Sequence, residues 1–185
     1  MNYGFGGLGA SMPSTASPVT VETARRLAAY NAKAFQEFAR GARRLPWRAA
    51  SRNRGTGHLS IFGTLVHILN VHEVWFEYIV QGRTRELRQL FQQKYRHPTE
   101  WRGFDAYSRA VWKGIDRYFA ALTPRTLARR VKAPWFPGEY TVGDAVLQTT
   151  FEQAHHLGEI IGIYWQQNKE PPQMMWIPLT RRGKR

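Results

Sequence analysis

Ser60-Ile-Phe-Gly-Thr-Leu-Val-His67-Ile-Leu-Asn-Val-His72-Glu-Val-Trp75 continues as Phe-Glu-Tyr78-Ile79 and is apolar on nearly every face of a helix. Ile61, Phe62, Leu65, Val66, Ile68, Leu69, Val71, Val74, Trp75, Tyr78 and Ile79 leave little room for a solvated side. A helix that is hydrophobic all round belongs inside a domain. Ser60 is placed to cap its start and Gly82 to stop it. The spacing therefore predicts a buried helix from about 60 to 82, with His67 at its middle.

Three further helices are predicted around it. From Thr20 to about Arg44, Val21, Ala24, Leu27, Ala28, Asn31, Ala34, Phe35, Phe38 and Ala42 recur at helical spacing, and Leu45-Pro46 ends the run. Pro98 opens a third helix, about Thr99 to Leu122, carrying Trp101, Phe104, Tyr107, Val111, Trp112, Ile115 and Phe119. Thr141 and Asp144 form a capping box for a fourth, which runs to about Asn168.

The connections differ in length. Arg48 to His58 reads as a polar loop, and the charged stretch Arg83 to His97 as a place for a short helix. Leu127 to Tyr140 has no helical period. Val131–Ala133 and Glu139–Thr141 suit a small hairpin around Pro134-Trp-Phe-Pro-Gly138. Pro171 to Pro178 is too apolar for a free tail and is expected to lie against the helices. Trp75, Tyr78, Trp112, Tyr164 and Trp165 read as core. The fold class expected is all-α, a four-helix bundle with a short irregular hairpin segment before the last helix. Residues 1–18 are expected as a flexible Gly/Ser/Pro-rich tail, 19–178 as one domain and 179–185 as a basic tail.

Composition narrows the chemistry. The chain has 185 residues, 43% hydrophobic and 14% aromatic, enough for one packed domain. It contains no cysteine, so thiolate metal sites and disulfides are excluded. No apolar run is long enough to span a bilayer, and no signal-peptide pattern opens the chain, so a cytoplasmic protein with no membrane role is expected. The net charge of +14 comes from 27 Lys and Arg against 13 Asp and Glu. It admits an anionic partner, nucleic acid included, but the arginines are spread along the chain and read first as a solvated surface. No Gly-rich phosphate loop, no G-x-S-x-G and no cysteine nucleophile occurs.

The residues that point to a site are His67, Glu152 and His156. A lone histidine inside an apolar helix is more often a satisfied core residue than a ligand. Glu152 and His156, four residues apart, change that reading, because they lie about 40° from each other on one face of the fourth helix. If the two helices pack together, His67 closes a three-donor site. Two imidazoles and a carboxylate suit Zn with an open position, and match the two-His-one-carboxylate pattern of non-haem Fe(II). Ni and Mn also fit such donors. His72 lies about 140° round the helix from His67 and reads as an outer-sphere or surface residue. His155 reads likewise, paired with Glu159 four residues on. Gln148 and Glu159 stand one turn either side of the pair and are placed to orient ligands.

With Tyr30-Asn31, Leu65-Val-His67-Ile, Trp75 and His155-His156-Leu-Gly-Glu159 in view, the chain resembles the DinB/YfiT-like family of metal-binding four-helix bundles. The resemblance covers about Val19 to Ile177. It implies an up-down-down-up bundle and a homodimer. It implies metal ligands at His67 and His156, with the third position, normally histidine, falling on Glu152. A carboxylate there would leave bound water less acidic than a three-imidazole site does. Activities known in the wider superfamily are transfer of low-molecular-weight thiols such as bacillithiol or mycothiol, and a thiol-dependent isomerisation. The expected function is thus a divalent-metal-dependent enzyme (Zn, Ni, Mn or Fe) that joins a low-molecular-weight thiol to an electrophilic small-molecule substrate. The alternative is a non-catalytic, stress-related bundle that binds nucleic acid or a small ligand.

Overall fold

The computed structural model describes residues 16–55, 57–92 and 98–180. It is mostly helical, with one small two-stranded sheet. The helices are α1 (Val21–Arg43), α2 (Trp47–Ala50), α3 (Ile61–Glu73), α4 (Thr84–Gln92), α5 (Trp101–Ala120), α6 (Pro124–Ala128), α7 (Val142–Trp165) and α8 (Trp176–Thr180). Strands β1 (Arg130–Val131) and β2 (Tyr140–Thr141) stand between α6 and α7. Most of the expected tail at the N-terminus and the basic cluster 181–185 lie outside the described residues.

The long helices begin where their caps stand. Thr20 accepts from the Thr23 amide, Ser60 from the Gly63 amide, and Thr141 forms a reciprocal box with Asp144. α1 buries Ala24, Tyr30, Asn31, Ala34, Phe35, Phe38 and Ala42, the stripe its sequence spacing predicts. α1 packs on α3, α5 and α7, and α3 packs on α5 and α7. Their shared core holds Phe35, Phe38, Leu65, Leu69, Phe104, Leu157 and Ile160 with almost no exposure. Each such side chain contributes roughly 2 kcal/mol by leaving water. No helix among the described residues is long and apolar enough to cross a membrane.

The C-terminal segment lies across α1. The Tyr30 hydroxyl donates to the Met174 carbonyl at 2.6 Å, and the Tyr30 and Trp176 rings stand 5.1 Å apart. Gly41 allows this approach, because a Cβ there would meet Pro172 Cγ at 2.4 Å.

Several local readings need correction. The helix predicted over 60–82 is α-helical only to Glu73. Val74–Ile79 forms a π-helical turn, with i to i+5 bonds from the Val80 amide to Trp75 and from the Arg83 amide to Tyr78. Hydrophobic spacing does not distinguish the two windings, since the turn keeps Val74, Trp75, Phe76 and Ile79 buried. The polar loop after α1 starts with one helical turn, α2, and α6 follows a Thr123 cap. The hairpin pairs Arg130 with Thr141 and Val131 with Tyr140, one residue earlier on its first strand than expected. Trp165, which the spacing places in the core, is 64% exposed, and Phe151 on the same helix is 67% exposed.

Candidate metal centre

α3 and α7 lie side by side and bring the sequence-predicted residues together. Glu152 Oε1 stands 3.3 Å from His156 Nε2 and 3.8 Å from His67 Nε2. The Glu152 and His156 spacing of one helical turn aims both at α3. His156 is nearly buried, while His67 and Glu152 are partly open to solvent.

Both flanking polar residues touch the pair they flank. Glu159 Oε2 lies 2.9 Å from His156 Nδ1, and Gln148 Nε2 donates to Glu152 Oε2 at 3.2 Å. His155 is exposed, 3.5 Å from the other Glu159 oxygen. His72 points away from the cluster. Its Nε2 meets Gln153 Oε1 at 2.9 Å in the core between α3 and α7.

One residue of the cluster escaped sequence reading. His58, in the loop before α3, stacks on His67 with ring centroids 3.5 Å apart, and its ring lies 4.8 Å from that of His156. Among the described residues, two groups of three potential ligands have donor atoms within 4.8 Å of one another: His58, His67 and His156, and His155, His156 and Glu159. Glu152 belongs to neither group, although it faces His67 and His156 individually. A loop between Gly55, Gly57 and Ser60 has no periodicity from which the position of His58 follows. The only signal is its nearness to the start of α3.

The electrostatics favour a cation. With Nδ1–H given to Glu159, His156 turns its Nε2 lone pair toward Glu152, an acceptor facing an acceptor. Only a proton or a metal ion between them resolves this. His67 Nε2 is buried and makes no hydrogen bond. His156, and then His67, hold the Glu152 carboxyl well below the usual carboxylate range. Burial disfavours protonated His156, yet Glu152 and Glu159 together hold its pKa above normal. Burial, followed by His67 and His156, pushes His58 down to about 4, so its ring is neutral at neutral pH. Donors about 2.1 Å from a tetrahedral ion stand roughly 3.4 Å apart. The observed 3.3 and 3.8 Å separations bracket that value. The described residues thus include a His-rich group, His58, His67 and His156, that could hold a metal ion, with the Glu152 carboxylate beside two of its members.

One cavity opens on the cluster and a second lies nearby. One, of about 320 Å³, is lined by His58, Phe62, Val66, His67 and Pro98. The other, of about 170 Å³, is lined by Trp75, Phe136, Tyr140 and Gln148. Gln148, in the lining of the second, donates to Glu152.

A family profile described as the DinB superfamily matches residues 18–160. The chain belongs to the DinB superfamily. The match runs from the start of α1 past His156 and so includes every donor of the cluster. No significant match to a curated protein was found.

Proposed function

We propose that this DinB protein is a divalent-metal-dependent enzyme that transfers a low-molecular-weight thiol to an electrophilic small molecule. The observation that carries the metal reading is the single carboxylate oxygen, Glu152 Oε1, set between two imidazole nitrogens, one of them buried without a hydrogen bond. When bound, a divalent ion supplies Lewis acidity, making a water or a small thiol a stronger acid at neutral pH. The protein supplies the rest. Glu159 fixes the tautomer and direction of His156, and Gln148 holds Glu152. The aromatic cavity beside Gln148 offers an apolar seat for the electrophile. The proposed frame is an up-down-down-up bundle of α1, α3, α5 and α7, within one domain spanning 19–178.

Elemental mass spectrometry of untagged protein is expected to find about one Zn, Ni, Mn or Fe ion per chain. The loaded protein is then expected to consume a small thiol together with a chromogenic electrophile faster than the metal-free protein. Protein that neither carries nor takes up metal would overturn the reading.

The alternative, a non-catalytic bundle binding nucleic acid or another anion, draws on Arg48, Arg52 and Arg54. The fold gathers these around one concave surface. Among the described residues no base-reading element accompanies them, so the metal reading is preferred.

We also propose a homodimer built on α7. Leu147, Phe151, Ala154, Gly158, Ile161, Gly162 and Trp165 recur on one outward face of that helix. Phe151 and Trp165 project at 67% and 64% exposure, and the glycines permit a close approach. Light scattering is expected to give the mass of two chains for the wild type and of one for Phe151→Glu with Trp165→Glu. A monomeric wild type would refute the interface.

A further inference from the structure

We propose that His58 is a loop-borne fourth ligand, exchanging between a stack on His67 and coordination of the ion held by His67, Glu152 and His156. The inference rests on the metal reading above and adds a residue that lies outside the helix-borne donor set. Three observations carry it. His58, His67 and His156 have donor atoms within 4.8 Å of one another. The His58 ring lies 14° from parallel to His67, at 3.5 Å between centroids. Parallel rings point their lone pairs side by side, so this pose is not coordinating. It does keep the imidazole within one side-chain rotation of the centre.

The main chain at His58 is fixed while its ring is half-buried. The His58 carbonyl accepts from the Ser60 amide at 2.8 Å, and the next residue, Leu59, holds a φ of 66°. The same carbonyl packs on Gly63, where a Cβ would meet it at 2.2 Å. Any side chain at Gly63 would displace the segment that carries His58. A fixed backbone with a rotatable imidazole is what a displaceable ligand requires. In place, His58 would add a third imidazole to the two helix-borne ones beside Glu152. Stacked on His67, it would leave a coordination position for substrate or thiol.

The test uses Co(II) titration of the metal-free full-length protein, reading affinity by competition with a chromogenic chelator and ligand field by visible absorption. His58→Ala is expected to retain 1:1 stoichiometry, to bind at least about tenfold more weakly and to shift the Co(II) spectrum. His58→Phe keeps a ring against His67 but has no lone pair, and is expected to lose as much. Thermal melting of each metal-free variant reports whether it folds. Unchanged affinity and spectrum in both folded variants would overturn the role of His58 and leave the metal reading intact. A wild type that binds no Co(II) would fail the metal reading itself. Native affinity in His58→Phe with weak binding in His58→Ala would show that stacking, not ligation, is what His58 supplies, and would also overturn the proposal.

Discussion

His156→Ala is expected to lose the metal ion, leaving less than about a tenth of an ion per chain where the wild type carries about one. His156 is the pivot of the cluster. It is the least exposed of the donors, 7% at the side chain, and it alone touches both Glu152 and Glu159. Its removal takes away a proposed nitrogen ligand and also the group that depresses the Glu152 carboxyl most. Glu159→Gln serves as the graded control. It keeps all three donors but weakens the partner that fixes the His156 tautomer, for an expected affinity loss of about 10–100-fold. The pH response has a definite sign. The carboxylates raise the pKa of His156, so a proton competes with the metal at its Nε2. Affinity is therefore expected to fall as pH drops through and below neutrality. Elemental analysis after dialysis, across wild type, His156→Ala and Glu159→Gln, checks the order. Full metal content in His156→Ala would remove His156 from the ligand set.

The parts of this arrangement that could be read from the sequence are those that follow helical periodicity. The stripe Ala24–Phe35–Phe38–Ala42, the caps Ser60 and Thr141, and the one-turn spacing of Glu152 and His156 are all local patterns. They survive folding because a helix fixes its neighbours at three and four residues. The placement of His67 against Glu152 requires in addition that α3 packs on α7, which the apolar character of both helices favours. What could not be read has no period. His58 reaches the cluster through a loop whose path is set by Leu59 and by contact with Gly63. The π-turn at Val74–Ile79 has the same hydrophobic signature as an α-helix. Trp165 reads as core because apolar residues usually are, yet within a single chain it faces outward, as Phe151 does. On a helix that meets a second copy, interface and core residues have the same composition.

Stability of the metal-free protein is expected to fall by about 3 kcal/mol between pH 7 and pH 4 through His72 alone. His72 is fully buried between α3 and α7. Its Nε2–H donates to Gln153 Oε1, and Gln153 Nε2 donates in turn to the Asn31 carbonyl of α1 at 2.9 Å. The network extends from Asn31 Nδ2 to Thr150 Oγ1 at 3.1 Å, so three helices share it. His72 Nδ1 has no partner, and a proton there would place an uncompensated charge in the core. Burial accordingly pushes the His72 pKa from 6.5 down to about 4, against the smaller opposing effect of Gln153. Above pH 6.5 neither the folded nor the unfolded chain carries this proton, and no penalty exists. As pH falls through 6.5 the unfolded chain takes up a proton that the fold refuses, and stability drops until the folded pKa is reached near 4. His72→Gln has no such proton. Its amide can still reach Gln153, at some loss of packing that is the same at every pH. Denaturant unfolding of the two metal-free proteins at pH 7, 6, 5 and 4 is therefore expected to give stability curves that converge as pH falls. The other titrating groups, Glu152, His156 and His58 among them, are common to both and cancel in the difference. Parallel curves would mean that His72 takes its proton within the folded core. The triad with Gln153 and Asn31 would then not be the rigid neutral network that joins α1, α3 and α7 behind the proposed metal centre.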